Sequence, residues 1–374
     1  MNRSLISIRD LSDADIMALF EHAHEFAAAT RRRLSLAHEA VMAALFFEPS
    51  TRTRMSFEAA MLRLGGQVIS MADPQASSAA KGETLADTVR IVDSYADIIV
   101  LRHPREGAAQ VAADFSRVPV INGGDGSREH PTQTLLDLYT ILHEKGRLDG
   151  ITVALCGDLK HGRTVHSLAQ ALARFGAKML CVAPQGLEFP EALRGALTAT
   201  YGAEIASFEA LEAAPLHECD ALYVTRIQKE RFADPAECAR VRSSYQVSRR
   251  TLERVRQDTI VLHPLPRVDE LDFSLDGDPR AAYFRQAAYG VPVRMALIAV
   301  LLGLRTLPDI AHTTREAAQR GRAQPAERPF TCSNTRCITN AEPGIPAAVQ
   351  MRDDGTPRCA YCEAPQEVAC PVSC

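Results

Sequence analysis

The chain has 374 residues, 46% of them hydrophobic, with 42 Lys and Arg against 46 Asp and Glu for a net charge of -4. That length exceeds one ordinary hydrophobic core and calls for two or three domains. The two signs of charge are interspersed with no extended basic stripe, which excludes nucleic acid as the main partner. No apolar run reaches the length of a membrane span, and Met1 to Leu5 carry no apolar leader, so no membrane association and a cytoplasmic location are expected.

In chain order, Ser12-Asp13-Ala14-Asp15 opens a capped helix, and Val41 to Leu45 is an apolar run that reads as a buried strand. It runs into Phe46-Phe47-Glu48-Pro49-Ser50-Thr51-Arg52-Thr53-Arg54, with a helix expected over Met55 to Leu64. At a strand-turn-helix junction the first helical N-H groups lack partners and the helix dipole is positive, which suits a phosphate. Ser50, Thr51 and Thr53 can either cap the helix or bond phosphate oxygens, while Arg52 offers a planar fork to two of them. A plain Ser/Thr cap with solvated arginines would give a similar pattern; the two interleaved arginines favour the anion.

Gln67 to Met71 reads as a short strand, followed by a small-residue loop from Ala72 to Gly82 and a helix from Leu85. Asp97 to Leu101 is a buried parallel strand ending at Arg102-His103-Pro104, and Val118 to Ile121 is another, whose loop leads to His130-Pro131-Thr132-Gln133. Ligands of open α/β sheets bind beyond such carboxyl ends.

A second βαβ unit opens near Leu148, with strands expected over Ile151 to Cys156, Lys178 to Val182, Glu204 to Ser207, Ala221 to Val224 and Thr259 to Leu262, and a helix over Thr164 to Phe175. The loop Gly157 to Gly162 lacks the Gly-x-Gly-x-x-Gly spacing of a dinucleotide site. Two of the strand ends are polar, at Thr225-Arg226-Ile227-Gln228 and His263-Pro264-Leu265-Pro266, and bidentate arginines suit a dicarboxylate. An apolar helix follows over Gly290 to Leu304, and then an Ala-, Arg-, Gln- and Pro-rich linker.

Six of the ten cysteines lie between Cys332 and Cys374. Two close pairs, Cys332 with Cys337 and Cys359 with Cys362, flank an insert of hairpin length, the arrangement by which four thiolates enclose one structural Zn2+. Cys370 and Cys374 fall outside that pattern. Cys156, Cys181, Cys219 and Cys238 sit in apolar or helical contexts and read as buried free thiols.

The nonapeptide resembles the carbamoyl-phosphate motif of the transcarbamoylases, and the later segments resemble the aspartate transcarbamoylase catalytic chain over roughly the first three hundred residues. Cys332 to Pro343 and Cys359-Ala360-Tyr361-Cys362-Glu363 are similar to the zinc domain of that enzyme's regulatory chain; the nucleotide-binding domain preceding zinc there has no counterpart here. The resemblance implies transfer of the carbamoyl group of carbamoyl phosphate to L-aspartate, the committed step of pyrimidine synthesis, with no organic cofactor. Ser50, Thr51, Arg52 and Thr53 would hold the phosphate with Arg102, and Thr53, Arg102 and His130 would polarise the carbonyl oxygen. Ser77 and Lys81 would arrive from a neighbouring chain, which implies a homotrimer with shared active sites, with the zinc module as the surface for any higher assembly. Ala80 stands where a second lysine can occur. Gln133 would orient the carbamoyl NH2, Arg163, Arg226 and Gln228 would take the aspartate carboxylates, and the carbonyls of Leu265 and Pro266 would face the amine.

The expected architecture is α/β, with two doubly wound parallel-sheet domains and a small C-terminal zinc-binding β module. Its parts are a carbamoyl-phosphate domain (1–146), an aspartate domain (147–290), a returning helix (291–308), a linker (309–329), the zinc module (330–366) and a tail (367–374). Two rivals remain. An ornithine-type transcarbamoylase has a cysteine after the histidine of the second-substrate loop, where Pro264 stands here. A non-catalytic assembly subunit would use the zinc module alone, against which the intact Arg52, Lys81, His130 and Arg226 speak.

Overall fold

The computed structural model describes residues 4–29, 32–72, 78–227, 245–308, 331–351 and 355–366. The chain divides into two compact units, residues 1–131 with 294–374, and residues 132–293. The breaks fall at 131/132 and 293/294, so the helix that follows His130 groups with the second unit, and the zinc module groups with the first.

The first unit contains α1 (Asp13–Ala29), β1 (Val41–Phe46), α2 (Thr51–Leu64), β2 (Gln67–Met71), α3 (Leu85–Val92), β3 (Ile98–His103), α4 (Ala108–Phe115) and β4 (Val120–Asp125). Its four strands run parallel in the order β2-β1-β3-β4. Helix α2 packs through Phe57, Ala60, Met61 and Leu64, all buried. Each large side chain so buried contributes about 1.5–3 kcal/mol relative to exposure. Strand β4 starts two residues later than Val118 and continues through Asn122-Gly123-Gly124, residues with little intrinsic preference for strand. Tertiary pairing accounts for this. Leu5 donates its N-H to the Val120 carbonyl at 2.9 Å and accepts from the Asn122 N-H at 2.8 Å, so β4 is paired on both sides.

The second unit contains most of α5 (Pro131–Lys145), then β5 (Thr152–Cys156), α6 (Arg163–Arg174), β6 (Lys178–Val182), α7 (Glu191–Tyr201), β7 (Ile205–Phe208), β8 (Ala221–Val224), β9 (Ile260–Leu262) and the first part of α8 (Tyr283–Leu301). Its five parallel strands are ordered β7-β6-β5-β8-β9. In each sheet the chain reverses its direction of travel at one strand: at β1, with β2 and β3 on opposite sides, and at β5, with β6 and β8 on opposite sides. Such switch points open a crevice at the carboxyl edge, where ligands of this architecture bind. Among the described residues no helix is long and apolar enough to cross a membrane.

Candidate active site and metal centre

Beyond β1, residues 47–50 turn into α2, which begins at Thr51 rather than at Met55. Thr51, Arg52 and Thr53 are therefore first-turn residues whose N-H groups have no helical acceptor. Ser50 occupies the N-cap position with φ -158 and ψ 84, yet its side chain makes no capping hydrogen bond, and no acidic residue lies in the first turn. The turn is thus cationic in sum and unspent. Its two arginines differ. Arg54 pairs with Glu58 at 3.4 Å, and Glu58 also accepts from the Ser70 hydroxyl at 2.8 Å. Arg52 is exposed and among the described residues makes no ion pair, while partial desolvation pulls its pKa down from the ordinary arginine value. An under-solvated guanidinium gains most from a bound anion.

Arg102 lies opposite Phe46 in the β1–β3 register, and its carbonyl accepts from the Phe47 N-H at 2.8 Å, which ties it to the turn before α2. Its guanidinium touches Glu48 at 2.6 Å and donates to the Gly123 carbonyl at 3.2 Å. The carboxylate inside the nonapeptide is a neighbour of Arg102 that the motif alone did not reveal. His103 is buried, accepts from the Arg105 N-H at 3.0 Å, and is held neutral by burial, its pKa brought down to about 4. The β4 loop closes on itself through Asp125, which accepts from the N-H of Gly107 at 3.0 Å and of Glu129 at 3.3 Å, and it delivers a buried His130. Ser50 to Thr53, Arg102 and His130 thus leave the sheet by one edge, from three adjacent strands. Lys81 is exposed at the end of a 3-10 turn, Ser78–Lys81. Ser77 and Gln228 lie outside the described residues, as do Cys238, Cys370, Cys374 and the linker.

In the second unit Arg163 is the first residue of α6, one position earlier than expected, in the loop after β5. Arg226 is exposed just past the end of the neighbouring β8. The two loops touch through Gly157 (φ +116), where an added Cβ would stand 2.3 Å from the Thr225 carbonyl oxygen. After β9, His263 Nδ1 accepts from the Leu265 N-H at 2.7 Å, which places its proton on Nε2 against Glu270 Oε1 at 2.8 Å. Leu265 adopts a left-handed φ of 53 and is followed by the cis bond to Pro266. Burial raises the Glu270 pKa, but His263 and the backbone N-H groups of Glu270 itself and Val268 outweigh it and bring it down to about 2. Because that value is below the ordinary 4.5, the pair stabilises the loop fully above about pH 4.5 and loses this as pH falls toward 2. Urea midpoints followed across that range should therefore decline more steeply for the wild type than for Glu270→Gln; parallel curves would refute the pairing.

Gln133 sits on the first turn of α5, and its Nε2 donates to Asp137 Oδ1 at 2.8 Å. Asp137, four residues on, is a partner that helical spacing could have suggested and the reading of single motifs did not. Three thiols of this unit are inert: burial pushes Cys156 well up, and Cys181 and Cys219 to about 12.

The cysteine module folds around β10 (Val349–Met351) and β11 (Pro357–Cys359), an antiparallel pair. Sγ atoms of Cys332, Cys337, Cys359 and Cys362, all buried, lie within 4.8 Å of one another, including pairs at 3.5 and 3.9 Å. Four thiolates about 2.3 Å from one ion stand roughly 3.8 Å apart, whereas a disulfide would need about 2.05 Å, so the set fits a closed tetrahedral centre. Gln366 Nε2 points at Cys332 Sγ at 3.4 Å, a donor of the sort that steadies a thiolate.

The module is seated on the first unit. The N-H of Glu106 donates to the Arg336 carbonyl at 3.1 Å, and the Glu106 carbonyl accepts from the Ile338 N-H at 3.0 Å. Glu106 also takes Asn334 at 2.7 Å and Arg336 at 3.3 Å. Glu363 joins Arg9 and Arg128, the latter at 3.2 Å, next to the loop that bears His130. Tyr361 lies over Gly107 (φ +86), where a Cβ would meet it at 2.8 Å.

Residues 3–144 match the family model described as the carbamoyl-phosphate-binding domain of aspartate/ornithine carbamoyltransferase, and residues 149–301 match its Asp/Orn-binding domain. An aspartate carbamoyltransferase catalytic subunit of Methanopyrus kandleri is 53% identical over 307 residues, covering 81% of this chain and 98% of that protein. The chain belongs to the aspartate carbamoyltransferase family.

Another member, the catalytic subunit from Archaeoglobus fulgidus, is 53% identical over 304 residues and is covered completely. Among solved members, the Methanocaldococcus jannaschii catalytic subunit superposes with a TM-score of 0.76 at 50% identity, over 80% of this chain and 98% of that one. The Trypanosoma cruzi enzyme in complex with N-(phosphonacetyl)-L-aspartic acid does so with 0.75 at 44% identity, over 79% and 95%. Residues 327–368 separately match the metal-binding domain of the family's regulatory chain. One polypeptide therefore carries parts that the family also encodes as catalytic and regulatory chains.

Proposed function

We propose that this chain transfers the carbamoyl group of carbamoyl phosphate to the amino group of L-aspartate, giving N-carbamoyl-L-aspartate and phosphate, the entry step to pyrimidines. The observation that carries this reading is the unspent cationic turn at the switch point of the first sheet, beside Arg102 and His130. The amine attacks the carbonyl carbon, the C-N bond forms, the bond to the phosphate oxygen breaks with its electron pair, and the proton lost by the amine leaves on the phosphate. Charge develops on the carbonyl oxygen, so the chemistry asks for aligned donors and needs no protein nucleophile. Thr53, Arg102 and His130 polarise that oxygen. Ser50, Thr51 and Arg52 hold the phosphate, with Ser77 and Lys81 joining from a neighbouring chain.

Gln133 orients the carbamoyl NH2. Arg163, Arg226 and Gln228 take the two carboxylates of aspartate, and the carbonyls of Leu265 and Pro266 face its amine. The four-cysteine centre holds Zn2+ in a structural role, since four protein ligands close its coordination. The assembly is a homotrimer in the cytoplasm, as the shared use of Lys81 requires.

Assays with carbamoyl phosphate and either aspartate or ornithine test the reaction: turnover is expected with aspartate and none above background with ornithine, and the reverse preference would sink the assignment. Shared sites are tested by mixing Lys81→Ala and Arg226→Ala chains, each inactive alone. Activity should return on mixing, because hybrid trimers rebuild some intact sites; persistent inactivity would remove the trimer.

A further inference from the structure

Asp137 in the second unit is a fully buried carboxylate that has so far been given no role. Its Oδ1 accepts from Gln133 Nε2 at 2.8 Å and from Gln286 Nε2 at 2.6 Å, and its Oδ2 accepts from the Tyr223 hydroxyl at 2.8 Å. The amide orientations follow from chemistry rather than from assignment. The Oε1 of Gln286 is committed to the backbone N-H of His263, at 2.8 Å, so its NH2 must face Asp137. Oδ1 is then an acceptor, and only the NH2 end of Gln133 can meet it. Three donors from α5, β8 and α8 fix the carboxylate, and a buried network satisfied in this way is rigid.

We propose that Asp137 is a positioning residue which fixes the side-chain amide of Gln133 so that its Oε1 alone is presented to substrate. An amide free to turn offers NH2 as readily as oxygen. Held by Asp137, Gln133 is a pure acceptor, matched to the NH2 of a carbamoyl group and mismatched to an acyl group that carries a methyl there. Asp137 thus sets discrimination between carbamoyl phosphate and its acetyl counterpart without touching either. The inference rests on the role proposed above for Gln133.

The readout is the ratio of kcat/KM for carbamoyl phosphate to that for acetyl phosphate, with aspartate as acceptor, in purified full-length protein. A loss of fold or of general rate lowers both terms and leaves the ratio in place. Gln133→Ala should lower the ratio at least tenfold; an unchanged ratio there overturns the underlying role of Gln133. Given that drop, Asp137→Ala should lower the ratio as far, and the double variant no further, since both act through one contact. A folded Asp137→Ala protein with the wild-type ratio overturns the role of Asp137 while leaving that of Gln133 intact.

Should Asp137→Ala fail to fold, Asp137→Leu decides, because a side chain of similar shape refills the buried volume while removing the acceptor that holds the Gln133 NH2. The orienting role then expects the same tenfold fall in ratio, and retention of the wild-type ratio refutes it.

Discussion

Arg52→Ala is expected to lower kcat/KM for carbamoyl phosphate by at least about a hundredfold, the scale found when one preorganised charged donor is removed from a developing or bound anion. The expectation rests on the contrast between neighbours on one helical turn. Arg54 is engaged with Glu58, whereas Arg52 is partly desolvated and among the described residues makes no ion pair. Arg54→Ala should accordingly remain within a few-fold of wild type, a change appropriate to a half-buried i,i+4 pair away from the anion. Arg52→Lys should recover only part of the loss, because an ammonium cannot make the two parallel bonds of the guanidinium fork. Steady-state rates for the three variants, with circular dichroism to verify the fold, are the measurement. Wild-type activity in Arg52→Ala would remove the phosphate site from this turn.

Loss of the metal should have the second largest effect. A strong chelator, or Cys359→Ser, is expected to release the module, lower the melting temperature by several degrees, and reduce kcat on the order of ten- to a hundredfold. The module has little core of its own. Its Ile338, Ile345, Ala348 and Tyr361 share one apolar cluster with Ala108, Val111 and Ala112 of α4. Thiolate coordination in small zinc modules is worth about 10–16 kcal/mol of apparent binding free energy, which here holds the module in its seated form. Without it, α4 is laid open to water, and Glu106 and Arg128 lose partners beside the loops that carry Arg102 and His130. Displacements near 1 Å at such loops are enough for rate losses of that size. Metal content by elemental analysis, melting curves and kcat would be followed together. Metal-free protein with an unchanged melt and full activity would show that the module is not coupled to the fold.

The strand-turn-helix junction after β1 was legible in the sequence because its determinants are local: an apolar run, a Ser/Thr cluster and two arginines within nine residues. The strands Gln67–Met71, Lys178–Val182 and Ala221–Val224 were legible for the same reason, being short apolar runs between turn residues. The start of α2 was not. Ser50 and Thr51 favour caps over helix interiors, so propensity placed the start at Met55, whereas the packing of Phe57 and Met61 carries the helix back to Thr51.

Asp137 was hidden for a different reason, since two of its donors, Tyr223 and Gln286, lie 86 and 149 residues away. Only the fold brings them together. The four thiolates were readable from spacing, but the seat of the module was not. Glu106, Gly107 and Glu363 look like ordinary loop residues until Asn334, Tyr361 and Arg128 are placed against them.

The seat of the metal module and the module itself belong to one polypeptide, joined through the linker segment after α8. A covalent tether makes docking of the module intramolecular and so raises its effective concentration at the seat. Two separately encoded chains fall apart once diluted well below their dissociation constant, but a covalently attached module does not. Serial dilution should therefore leave each module seated on its own catalytic part, even where contacts between chains are lost, and the ratio of catalytic to metal-bearing parts is set at one to one by translation rather than by relative expression.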